Sequence, residues 1–181
     1  AGAQVADNWD IVFPTSESGP AQEHFLEGVT YMHLHMFEDA AEHFREAQKL
    51  SPDFVMAYWG EALNQHRTIW NIHNYDVALE ILERLGDTPE ARAAKAPTAR
   101  ERAYLTAVEL LFGSGTQRQR EVAYSAAMFA LSERYSEDIE SAAWFALSLM
   151  RINAPGKTRQ QTRSLMAGTS LSVLARNPRH P

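Results

Sequence analysis

Apolar residues recur at three- and four-residue spacings along most of the chain, and this period is interrupted at intervals by Pro, Gly, Ser and Asp. The pattern predicts helices at about 20–34, 37–50, 54–70, 75–85, 98–112, 118–134, 138–151 and 158–176. The interruptions are Ser51-Pro52, Gly86-Asp87-Thr88-Pro89, Gly113-Ser114-Gly115 and Asn153-Ala154-Pro155-Gly156. Pro20 suits a first helical position, with Ser18 or Gly19 capping before it. Residues 1–19 read as a lead-in segment. Asp7, Asn8, Pro14, Thr15, Ser16, Ser18 and Gly19 break any period there, while Trp9, Ile11, Val12 and Phe13 are able to dock on the body formed by 20–181. No run alternates as a strand does. Helices joined by short connections have antiparallel neighbours, hence a bundle or a stacked array of hairpins.

An internal repeat favours the array. Gly28, Tyr31, Ala40, Phe44, Ala47 and Pro52 stand in the order of a helix–turn–helix unit. Small residues at 28 and 40 allow close approach, Tyr31 and Phe44 fill the space between the helices, and Pro52 stops the second one. The arrangement resembles the tetratricopeptide repeat, a unit of about 34 residues, with His24 where that motif usually has tryptophan. Looser units follow. Tyr58-Trp59-Gly60 opens the second, with Ala62 in the place of Gly28 and about four extra residues before Ala78. "RERAYLTAVELL" pairs with "REVAYSAAMFALSERYSED", and "IESAAWFALSLM" with "TRSLMAGTSLSVLARNP". The resemblance implies an all-α, tetratricopeptide-like superhelix of about four hairpins over residues 20–178. A narrower resemblance, to a bacterial subgroup of these repeats, rests on Leu34-His35, Ser51-Pro52-Asp53, "MAYWGEA" at 56–62, His66 and Trp70. Members of that subgroup often run longer, so this chain is expected to be part of a larger unit.

In such arrays each hairpin cannot bury its own apolar face and stacks on the next, and function lies in the groove lined by the first helix of each hairpin. Aligning the units puts Trp59, Leu63, His66 and Arg67 along one face, with Met32 and His33 at the equivalent positions of the first unit on the same inner wall, and Trp59 and Trp70 flanking it. This set forms the expected groove for a protein or peptide partner. Trp59 and Trp70 are equally readable as packing residues.

The histidine-rich "YMHLHMFEDAAEHF" at 31–44 raises a second reading, a metal-binding protein. Met32, His35 and Met36 share a face and would suit Cu(I). His35 with His66 would begin a zinc site, with further ligands from His33, His73, Asp76 or a C-terminal segment outside this sequence. His24 and His43 read as surface residues. No Glu-x-x-His, His-Glu-x-x-His, phosphate loop or dinucleotide fingerprint is present, and a non-catalytic scaffold is expected.

Composition adds constraints. The chain has 181 residues and no cysteine, which removes disulfides, thiolate catalysis and cysteine-ligated metal. The net charge of −6 conceals a split. Residues 1–90 carry 4 Lys/Arg and 16 Asp/Glu, whereas 91–181 carry 13 and 7. Solvated helix faces explain this split, and so does a bipolar surface that favours self-association. Overall acidity argues against nucleic acid as a partner. No apolar run is long enough to span a membrane. The opening AGAQVADNWD is consistent with a processed end, giving a slight lean to an exported over a cytoplasmic protein.

Overall fold

The computed structural model describes residues 9–181, and Asp7 and Asn8 of the lead-in lie outside the described residues. The helices are α1 (Gly19–His33), α2 (Phe37–Leu50), α3 (Val55–Leu63), α4 (Tyr75–Leu85), α5 (Pro89–Lys95), α6 (Ala99–Leu111), α7 (Gln117–Arg134), α8 (Ile139–Ser148) and α9 (Arg159–Arg176). Two short strands, β1 (His66–Arg67) and β2 (Ile72–His73), pair antiparallel with His66 opposite His73. Helices α1–α2, α3–α4, α6–α7 and α8–α9 form four hairpins, each helix packing chiefly on its sequence neighbours while α3 also meets α1 and α6. This is an all-α helical repeat fold.

Local chemistry sets the helix ends. Thr88, Thr98, Thr116, Asp138 and Thr158 each accept a backbone N–H at a helix start. Thr116–Gln119 and Thr158–Gln161 complete reciprocal capping boxes. Ser18 stands at the N-cap of α1 without a side-chain cap bond, and Pro20 occupies the first turn as its fixed φ allows. The end of α1 is tied by Met36 N–H to the Tyr31 carbonyl and His35 N–H to the Met32 carbonyl. That pair of bonds is a Schellman arrangement, which demands a left-handed residue, and here the residue is His35 at φ +61°.

The first helix of each hairpin sends one aromatic ring inward. Phe25, Trp59, Tyr104 and Trp144 are all buried. Trp59 touches Tyr104 edge-on at 5.2 Å and Trp144 at 6.0 Å between ring centroids. The lead-in completes this core: Phe13, 1% exposed, lies 5.2 Å from Phe25, 5.6 Å from Trp59 and 5.0 Å from Tyr104. Edge-to-face pairs of this kind add about 0.5–1.5 kcal/mol each beyond their burial. Docking of the lead-in therefore comes through Phe13, while Trp9 and Val12 stay exposed.

Phe44 of α2 is wedged between Gly28 of α1 and Gly60 of α3, so both glycines serve the close approach of three helices. Beside it, the buried Glu61 carboxylate accepts from Arg45 Nε at 2.8 Å, Gln48 Nε2 at 2.7 Å and the Arg84 guanidinium. One acid thus clamps α2, α3 and α4 together.

Two expectations need correction. The helix expected over 54–70 ends at Leu63, and the next ten residues form a β-hairpin closed by a 3-10 turn at Thr68–Trp70 with Asn71 left-handed. Asn64 still holds helical backbone, with its N–H on the Gly60 carbonyl and its buried amide donating to the Phe37 carbonyl at 2.7 Å, and the hairpin pairing begins past it, where the Gln65 carbonyl accepts from Asn74 N–H. The break over 86–97 contains the short helix α5, which Thr88 and Pro89 start.

Candidate functional site

The hairpin at 64–73 folds over the end of α1 and faces the third and fourth units. Between them lies a cleft lined by Met32, His35, Phe37, Leu63, Asn64, His66, Ile69 and Trp70 on one side, and by Glu121, Tyr124, Trp144, Leu147, Ser148 and Arg151 on the other. It spans about 590 Å³ including space open to solvent, but only about 30 Å³ is roomy enough for water-sized bodies. A second cavity, with about 370 Å³ of such room, adjoins it and extends from α8 to α9 and the C-terminal residues His180 and Pro181. Met32, His35, Trp144 and Leu147 belong to both. The second is walled mainly by apolar groups, including Met150, Met166, Val173 and Leu174.

The rim is aromatic. Trp70 is 51% exposed and stands edge-on to His35 at 5.1 Å and to Phe37 at 5.4 Å. The Arg67 guanidinium sits 4.5 Å over the Phe37 ring and donates to Glu38. Behind the rim, His66 Nδ1 lies 2.8 Å from His73 Nδ1, and the His73 ring stacks on Phe112 at 4.9 Å. Burial, with the neighbouring His73, holds the His66 pKa down to about 4. Burial and then Arg120 lower His73, and burial and then His33 lower His35. These imidazoles are therefore neutral at neutral pH and offer single donors and acceptors.

Polar atoms in the cleft wall stand without partners. Tyr124 Oη, Trp144 Nε1 and Asn64 Oδ1 are buried with no hydrogen bond. A buried unmade hydrogen bond costs about 1–3 kcal/mol. Two of the three, the indole N–H and the phenol O–H, donate readily to an incoming carbonyl or carboxylate.

Across the second cavity, Glu140 of α8 is fully buried and holds two imidazoles, His33 Nε2 at 2.8 Å on one oxygen and His180 Nε2 at 2.8 Å on the other. Burial opposes its charge, but His33 and His180 outweigh burial and hold its pKa down to about 2. His33 also stacks on Trp144 at 4.2 Å. This latch joins the first unit, the fourth unit and the chain's last residues. It is backed by Asp10 N–H donating to the Arg179 carbonyl and Asn177 Nδ2 donating to the Asp10 carbonyl.

Of the residues expected in a groove, Met32, Leu63, His66 and Trp70 meet in the first cleft, and His33 lines the second cavity. Trp59 does not reach either, because it is 0% exposed within the aromatic core. Arg67 and His66 lie on β1 rather than on a helix face, and Arg67 is turned toward Phe37 and Glu38. The expected metal pair, His35 with His66, gains no third ligand. Among the described residues, the groupings of at least three ligand-type side chains are His24–Glu27–His43 and His33–Glu140–His180. His66 instead spends its Nδ1 on His73, and Arg120, 3.4 Å from His73 Nε2, adds a cation where a metal would need none. The wall from α7 and α8, Glu121 through Arg151, was invisible to repeat alignment because it comes from units two hairpins away.

Four stacked helical hairpins sharing one continuous core define a helical repeat protein. Residues 21–54, which are α1, α2 and the turn after them, match the tetratricopeptide repeat family. That segment carries a tetratricopeptide repeat, and such repeats generally mediate protein–protein interaction and scaffolding. No curated protein and no solved structure matches the chain. No helix among the described residues is long and apolar enough to cross a membrane.

Proposed function

We propose that the protein is a non-catalytic scaffold that captures an extended peptide segment of a protein partner in the two joined cavities. The observation that carries this reading is that the two cavities share Met32, His35, Trp144 and Leu147 as lining, with Trp144 Nε1 unpartnered on a shared residue and Tyr124 Oη unpartnered on a lining residue of the first. A peptide supplies what such a wall needs. Its backbone carbonyl or terminal carboxylate accepts from the indole or phenol, and its apolar side chains fill the larger cavity lined by Met150, Met166, Val173 and Leu174. Trp70 and Ile69, both about half exposed, form the flap that must open to admit it.

The test is selection from a displayed library of random peptides, followed by calorimetry on synthetic copies of the winners. The winners should be apolar segments whose affinity falls at least about tenfold in Trp70→Ala and in Leu147→Arg, consistent with loss of an aromatic anchor. Peptides that bind both variants as tightly as the native chain would sink the assignment.

A further inference from the structure

We infer that His24, Glu27 and His43 form a divalent transition-metal site on the outer side of the first hairpin, remote in composition from the cleft described above. His24 and Glu27 stand three residues apart on α1 and so share a face. His43 comes from α2, the antiparallel partner of α1. Three ligand atoms converge: His24 Nδ1 to His43 Nδ1 is 3.1 Å, His43 Nδ1 to Glu27 Oε2 is 2.8 Å, and His24 Nδ1 to Glu27 Oε2 is 3.6 Å. Ligands at about 2.0–2.1 Å from a tetrahedral zinc ion stand about 3.3 Å apart. The three observed edges bracket that value, so an ion fits with small side-chain adjustments.

Hydrogen bonds among the three atoms alone leave one of them to solvent. A neutral imidazole has one N–H and one lone pair. If the His43 Nδ1–H donates to Glu27, the His24 Nδ1 faces it either with a second N–H or with a lone pair left to water. A cation at the centre satisfies all three atoms together. The surroundings favour one. Tyr31 stacks on the His43 ring at 5.2 Å and fixes its plane. Glu46, one turn beyond His43, adds a negative charge; Lys49 chiefly, with His24 and His43 contributing, holds its carboxyl below the usual range. The side chains of His24, Glu27 and His43 are 34%, 43% and 24% exposed, which lets an ion in and leaves a coordination position for water. Two nitrogens and one carboxylate oxygen suit zinc or copper(II) better than calcium or magnesium. Because the ligands come from both helices of the repeat, the ion would staple the first hairpin.

The experiment uses the full chain, stripped with a chelator and titrated with zinc against a chromophoric competitor. One ion per chain is expected, with a Kd on the order of 1 μM for three ligands and water. His24→Gln and His43→Gln should each weaken binding at least about tenfold, more than an outer-sphere change does, with the far-ultraviolet circular dichroism unchanged. Cobalt(II) supplies a second readout, since a tetrahedral site gives intense visible absorption and an aquated ion does not. Equal zinc binding by the native chain and the His24→Gln/His43→Gln double variant would overturn the assignment. So would a cobalt spectrum like that of the aquated ion, or loss of binding in His33→Gln with none in His43→Gln.

Discussion

A methyl group placed at position 60 would drive a carbon atom to 2.3 Å from Phe44 Cε1, 2.5 Å from Cζ and 2.8 Å from Cδ1. The ring has nowhere to retreat. It is 0% exposed, its other face lies 2.8 Å from where a methyl at Gly28 would stand, and Phe25 closes a third side at 6.1 Å between centroids. Overpacking a filled core costs about 1–3 kcal/mol, and the upper part of that range applies when the obstacle is a confined ring. Replacing glycine by alanine inside a helix returns about 1 kcal/mol of backbone preference. Gly60→Ala should therefore lose about 1–2 kcal/mol net, whereas Gly28→Ala, with its closest approach at 2.8 Å, should lose about 0–1 kcal/mol. Urea unfolding followed by circular dichroism measures both. At an m-value of about 2 kcal/mol/M the Gly60→Ala midpoint should fall by roughly 0.5–1 M. Phe44→Leu destabilises by itself but frees the space, so the Phe44→Leu/Gly60→Ala pair should lose at least about 1 kcal/mol less than the sum of its parts. A Gly60→Ala chain as stable as the native one, or strictly additive single effects, would refute the wedge.

Other outcomes follow from the same contacts. Glu61→Ala should cost about 2–3 kcal/mol, because three donors on α2 and α4 lose a charged acceptor while the two arginines remain hydrated; denaturant titration checks this. His180→Ala strands one oxygen of the buried Glu140 carboxylate and should cost about 3 kcal/mol, visible as a lower melting temperature and as faster proteolysis near the C-terminus. Stability should fall with acid in two stages. His66 has a depressed folded pKa of about 4, so the unfolded chain takes up its proton first and stability is lost as pH falls from about 6.5 toward 4. Glu140, held down at about 2, adds loss as pH falls below its ordinary range. His180, raised by Glu140 against the opposing effect of burial, works the other way and loses its contribution as pH climbs through its folded pKa. Melting curves of His66→Gln should show a smaller first acid stage, the remainder coming from His35 and His73, whose pKa values burial also lowers.

The first hairpin was legible because its two helices are adjacent in sequence and its markers are local. Gly28, Ala40 and Phe44 meet within seventeen residues, and the helical period does the rest. Legibility failed at Asn64, where Leu63 and Trp70 continue a helical period that the chain abandons. What takes over is the hairpin pairing of His66 with His73, beside an Asn64 amide bonded to Phe37 twenty-seven residues back, and neither contact lies in a window of helical periodicity. The cleft was half legible for a related reason. Met32, Leu63, His66 and Trp70 follow from stacking unit two on unit one, but Tyr124, Trp144 and Arg151 arrive from units three and four. Glu140 with His33 joins residues 107 apart, and His180 appeared only as a terminal histidine. The pairing of His24 with His43 was within reach, since antiparallel α1 and α2 place both helices' midpoints together, but each histidine read alone is a surface residue.

What separates the cleft from an ordinary packing flaw is where the fold accepts unfavourable terms. A left-handed residue other than glycine costs about 1–2 kcal/mol, and glycine at the same Schellman position avoids most of it. His35 occupies that position at φ +61°, and its side chain stands where the two cavities join, edge-on to Trp70. The unpartnered Tyr124 Oη, Trp144 Nε1 and Asn64 Oδ1 line the same space, although the rest of the chain satisfies even fully buried acids such as Glu61 and Glu140. Three of the six such unpartnered atoms among the described residues, together with the left-handed His35, belong to residues of this cleft, while the others are Trp59 Nε1, Arg67 Nε and Arg120 Nε. Backbone strain and unsatisfied polarity at these residues support the proposed binding reading, and they make His35, rather than the deeply buried Trp59, the residue on which that reading turns.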